Sequence, residues 1–147
     1  MIIPTDTLVL VGDGKRMLFL RNRGDAVRPD LRVEEVEKQE NAYDRDQGRD
    51  KPGRAFASFG ANRNAYSETD FHKVAEDNWA KDAAARLNKR AQEKDFEQLV
   101  IVAPPKWLGE LKKHLNPQVT NRVLSYVNKD LTHEPTDQLA KHLMSIE

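Results

Sequence analysis

Chemistry in this chain of 147 residues would have to come from a few carboxylates and a string of basic side chains. Asp13 follows the first apolar run, and Lys129-Asp130 follow the last. Carboxylates at strand ends are where a hydrolase would keep a general base or a metal ligand. Arg45, Arg49, Lys51, Arg54 and Arg63 stand along a polar stretch and could contact phosphates or a partner surface. There is no cysteine, which excludes disulfides and thiolate chemistry. His72, His114, His133 and His142 are scattered, without the spacing of a zinc site, and read as surface residues. No Gly-x-Ser-x-Gly elbow, phosphate loop or dinucleotide fingerprint occurs. A metal-dependent nuclease would need several clustered carboxylates, and neither the first nor the fourth apolar run contains one. The residues therefore predict no metal, no cofactor and no enzyme. A hydrolase using Asp13 and Asp130 is the weakest of the alternatives.

The elements that must position these residues follow from the apolar pattern. Thr7–Val11 is apolar on both faces, as a central strand covered by helices would be. Asp13-Gly14 is a hairpin signal, so Met17–Leu20 is its antiparallel partner. Leu31–Val36 is charged and alternates imperfectly, which predicts an edge strand. Residues 38–66 show no apolar periodicity and read as one long loop, functional or disordered. Ser67 is placed to cap a helix that runs to Glu93, with Glu68 and Asp70 in its first turn and Tyr66 and Phe71 as a hydrophobic staple. Its stripe is Phe71, Val74, Ala75, Trp79, Ala83, Leu87 and Ala91. Leu99–Ala103 is a buried parallel strand, and Pro104-Pro105 open a helix with Trp107, Leu108, Leu111 and Leu115 inward. A helical turn and a strand over Arg122–Val127 come next, and Pro135 opens a last helix. Both tryptophans fall on apolar stripes and are expected in the core.

An α/β fold with a mixed five-stranded sheet of order 3-2-1-4-5, strand two antiparallel, and helices on both faces satisfies the right-handed crossover rule. This is a ribonuclease-H-like architecture in a single domain over 1–147. Ligands of open α/β sheets favour the carboxyl ends of the parallel strands. That rule puts Asp13, Lys129, Asp130 and both ends of the long loop on one rim. Lys81, Arg86, Lys89, Arg90 and Lys94 add positive charge to the later turns of the long helix, where an RNA groove would be lined if loop and helix converge.

Charged residues make up 33% of the chain and cancel to a net charge of zero, so any electrostatic recognition must be local. No secretory leader is read at the start, and no segment is apolar enough to span a membrane. The expected address is bacterial cytoplasm, with no membrane partner.

Three segments resemble the bacterial host attachment protein family, named for attachment to host cells: Leu8–Met17, Leu99–Leu111 and Val127–Thr132. That family is similar to the middle domain of archaeal and eukaryotic class-1 peptide release factors. The resemblance implies the fold already read from the strands. In those factors the loop between the third strand and the long helix carries a Gly-Gly-Gln tip that enters the ribosome. Here the slot holds Gly48, Gly53 and Gly60 but no Gly-Gly-Gln; Gln47-Gly48 is the nearest fragment. Peptide release is therefore not carried over. The expectation is a non-enzymatic binding protein whose loop contacts RNA or a ribosomal surface. The alternative is a protein-interaction module in host or surface attachment.

Overall fold

A computed structural model describes residues 1–39 and 54–146, with side chains outside 54–72. The elements are β1 (Leu8–Gly12), β2 (Arg16–Asn22), β3 (Leu31–Lys38), α1 (Arg54–Gln92), β4 (Leu99–Val102), α2 (Pro105–Lys112), α3 (Pro117–Thr120), β5 (Val123–Val127) and α4 (Thr136–Met144). The sheet order is β3-β2-β1-β4-β5, the expected one. β2 is antiparallel to both neighbours, and β1 is parallel to β4 and β4 to β5.

β1 and β4 lie at the sheet centre and are buried throughout. One face packs Leu8, Leu10, Phe19 and Ile101 against Trp79, Ala83, Leu87, Trp107 and Val119 from the three helices α1, α2 and α3. The other packs Val9, Val11, Leu20, Val100 and Val102 under Leu139, Ala140 and Leu143 of α4. The alanines of α1 let that helix approach the sheet closely.

β3 is an edge strand, and a bulge explains its imperfect alternation. Phe19 pairs with Glu35 while Leu20 pairs with Val33, so Glu34 is the extra residue. The bulge puts consecutive Glu34 and Glu35 on the α1 side, where both meet arginines of that helix. Val33 and Val36, opposite Leu20 and Leu18, stand on the α4 side and remain 43% and 45% exposed.

The long helix begins earlier than its capping signals imply. It spans Arg54–Gln92 and runs through Ser67, so Ser67 is not its N-cap and the connection after β3 is shorter than 38–66. Residues 54–66 include Ala55, Ala57, Ala61 and Ala65, and intrinsic propensity supports helix there without an amphipathic stripe. The staple pair Tyr66 and Phe71 lies outside the described side chains. Val74 belongs to the expected inward stripe but is 55% exposed, and the first buried side chain among those described on α1 is Trp79.

The far end of α1 closes with Lys94 in the left-handed region at φ 57°. The Asp95 N–H donates to the Arg90 carbonyl and the Lys94 N–H to that of Ala91, which is the Schellman arrangement. The turn places Asp95 over β2, beside Arg21.

Candidate functional site

The rim at the carboxyl ends of β1 and β5 is organised by Asp13. Its Oδ1 accepts the backbone N–H groups of Lys15 and Arg16 at 2.8 and 2.9 Å, which closes the β1–β2 turn. Its carbonyl accepts the Trp79 indole N–H at 2.9 Å. Its Oδ2 lies 2.9 Å from the Thr132 hydroxyl, which in turn lies 3.1 Å from Asp130 Oδ1. A hydroxyl has one proton, so it serves one of the two carboxylates at a time. Thr132 is 4% exposed, and the contact joins two turns 119 positions apart in sequence.

The end of β3 and the middle of α1 both reach the same turn. Gln39 Nε2 donates to the Gly14 carbonyl at 2.7 Å, and the Gln39 backbone N–H donates to the Lys15 carbonyl at 2.8 Å. On α1, Glu76 lies against Gly14, where a Cβ would come within 2.7 Å of its Oε2. Trp107 covers Gly12 so closely that a Cβ there would meet the ring at 2.7 Å. Glycine at position 12 is thus fixed by the indole packed on it.

The sheet topology brings Asp13 and Asp130 together, as the strand ends predicted. Lys129 is exposed, and its side chain joins neither carboxylate. Arg45, Arg49 and Lys51 lie outside the described residues; Arg54 and Arg63 fall on α1. Thr132 is the rim residue that the sequence reading did not single out. The only local signal for it is the Asp130-Leu131-Thr132 spacing, which suits an Asx turn. Among the described residues no group of three or more His, Asp or Glu is arranged to hold a metal ion.

A second polar centre occupies the opposite end of the sheet. Arg21 is 6% exposed; its Nε and Nη2 donate to Glu34 at 3.1 and 3.2 Å, and Nη2 and Nη1 reach the Asp95 side chain and carbonyl at 2.8 and 2.9 Å. Arg90 donates to Glu34, Asp95 and Glu35 at 3.1, 2.9 and 3.0 Å, and Arg86 also binds Glu35. Burial alone would lift the Glu34 and Asp95 carboxyls, but hydrogen bonds from Arg21 and Arg90 outweigh it and hold both below the ordinary carboxylate range. Clefts of about 570 and 670 Å³ flank this network and share Glu34 and Asp95 in their linings. Arg86 and Arg90 are therefore engaged within the fold, which removes them from the set of helix charges that could line an RNA groove.

No curated protein matches this sequence. A family model described as bacterial archaeo-eukaryotic release factor family 12 matches residues 6–143, a span that takes in the whole sheet, α1 and the Asp13–Thr132 rim. The observed strand order and the position of the long helix agree with a release-factor-like domain. The chain therefore belongs to bacterial archaeo-eukaryotic release factor family 12.

Proposed function

We propose that this protein is a non-catalytic RNA-binding protein that presents the first half of α1 and the segment before it to a ribosomal surface. The observation that carries this reading is the reach of α1 beyond its own core. Among the described side chains of α1, those buried start at Trp79, and none of residues 73–78 is buried. At ~1.5 Å per residue, the stretch from Arg54 to Trp79 is roughly 38 Å long. A helix that outruns the surface it packs on is available to a partner. Arg49, Lys51, Arg54 and Arg63 in and before that stretch supply groups that neutralise phosphates.

The rim supports a binding role over a hydrolytic one. Asp13 spends Oδ1 on two backbone donors and Oδ2 on Thr132, so its carboxylate is committed to shaping the turn. A general base would instead need a free face toward substrate.

The test is the affinity of the full chain for ribosomal RNA at low and moderate salt, beside a variant carrying Arg49→Ala, Lys51→Ala, Arg54→Ala and Arg63→Ala. The reading expects salt-sensitive binding that the variant weakens. Absence of binding by the parent chain in both conditions contradicts it.

A second reading, a protein-interaction module as in host attachment, draws on the half-exposed Val33 and Val36 side by side on an edge strand. A partner retained in pull-down after nuclease treatment, and lost in Val33→Ser with Val36→Ser, favours it.

A further inference from the structure

We propose that Arg16 and Lys38, with Lys15 beside them, form a phosphate-contact site at the corner of the sheet where β2 begins and β3 ends. The proposal rests on the RNA-binding reading above.

The register sets Arg16 directly opposite Lys38 on adjacent antiparallel strands. Like charges in that position repel, at a Cβ separation of roughly 5 Å. Nothing among the described residues neutralises them. The Arg16 guanidinium donates to no described residue, and its Nε is buried without a partner. The other partly buried arginines are used differently: Arg21, Arg86 and Arg90 bind carboxylates, and Arg122 donates to the Phe96 carbonyl at 2.9 Å. Among the described acids around this corner, Glu76 of α1 lies against Gly14. Asp13 is held by backbone donors and Thr132, and Glu37 lies on the other face of the strand, toward Arg86.

An anion bound at this corner would offset the repulsion and accept from a guanidinium that is unpaired among the described residues. A phosphodiester suits it, because its non-bridging oxygens accept the paired donors of a guanidinium while an adjacent ammonium adds a point charge. Gln39 is fastened to the Gly14–Lys15 turn, so the end of β3 and the start of β2 are held together at this corner.

The test uses the full chain and a short fluorescein-labelled RNA hairpin, with anisotropy read between about 50 and 300 mM potassium chloride. The variants are Arg16→Gln with Lys38→Gln, the exposed single change Lys38→Gln, the charge-preserving pair Arg16→Lys with Lys38→Arg, and the fourfold segment variant described above. Circular dichroism establishes that each is folded. The proposal expects the double glutamine variant to bind roughly tenfold more weakly at low salt, with the salt slope reduced by about 1.5. Lys38→Gln should lose about half of that slope, and the charge-preserving pair should keep the parent slope. If the glutamine variants keep the parent slope while the fourfold variant loses it, the corner site is overturned and the RNA-binding reading stands. If the glutamine variants lose it and the fourfold variant does not, the corner is supported and the α1 segment is not. If the parent does not bind at all, both fail. Poly-L-glutamate that displaces the RNA as well as unlabelled RNA does, charge for charge, would overturn the phosphate assignment in favour of an acidic protein.

Discussion

The Trp79 indole donates its N–H to the Asp13 carbonyl at 2.9 Å, at the point where α1 passes the rim of the sheet. One turn upstream Glu76 lies against Gly14, and downstream Ala80, Ala83, Ala84 and Leu87 pack in the core with Leu8, Leu10 and Phe19. The β1–β2 turn thus fastens the helix from one side and Gln39 from the other.

Removing that donor tests the fastening. Trp79→Phe keeps an aromatic ring but leaves a carbonyl without its partner, which should cost about 1–3 kcal/mol. Urea unfolding is the measurement. A midpoint equal to that of the parent would mean the contact does not hold the helix.

Two glycines should respond in opposite directions. Gly12→Ala would drive a methyl into the Trp107 ring and should destabilise by about 1–3 kcal/mol. Gly109 is inside α2 with nothing within 4 Å of an added Cβ, so Gly109→Ala should stabilise by about 0.5–1 kcal/mol. Thermal unfolding of the two variants side by side reads the sign directly.

Lys94 occupies the left-handed region that glycine adopts at little cost. Lys94→Gly should raise stability by up to about 1 kcal/mol, the relief of strain exceeding the added freedom of the unfolded chain. A lower melting temperature would show that the Lys94 side chain contributes more than its backbone costs.

The Arg21–Glu34–Asp95–Arg90 network predicts an acid limb in stability. The folded carboxyls of Glu34 and Asp95 sit below their ordinary values of 4.5 and 3.8. Their contribution is complete above those values and is lost as pH falls through the lower folded ones. Glu34→Gln should therefore show a shallower loss of stability on acidification than the parent. Arg21→Ala, which leaves Arg90 as the partner of both Glu34 and Asp95, should cost about 1–3 kcal/mol at neutral pH. Parallel pH profiles for Glu34→Gln and the parent would contradict the assignment.

Much of this fold was legible from the apolar runs. Val9, Val11, Val100 and Val102 mark central strands, and the Asp13-Gly14 pair marks the hairpin, because burial on both faces and turn chemistry leave local signatures. The start of α1 was not legible: Ser67 offers a good cap, yet the alanine-rich stretch before it continues the helix without an amphipathic stripe. Arg21 and Asn22 look like the end of a strand but belong to β2. Their side chains are satisfied by groups distant in sequence: Arg21 by Glu34 and Asp95, Asn22 by the carbonyl of Ile3 at 2.8 Å. Asp13 and Asp130 could be placed on one rim by strand direction alone. Thr132 between them could not, since only the folded chain brings a hydroxyl from beyond β5 to the turn after β1.

Co-sedimentation with ribosomes through a sucrose cushion, at low and at moderate salt, bears most directly on the central claim. The account predicts that the parent chain travels with ribosomes at low salt, less at moderate salt, and that the fourfold change of Arg49, Lys51, Arg54 and Arg63 to alanine leaves it in the supernatant. A parent chain that stays in the supernatant in both conditions, folded and at full concentration, would contradict it.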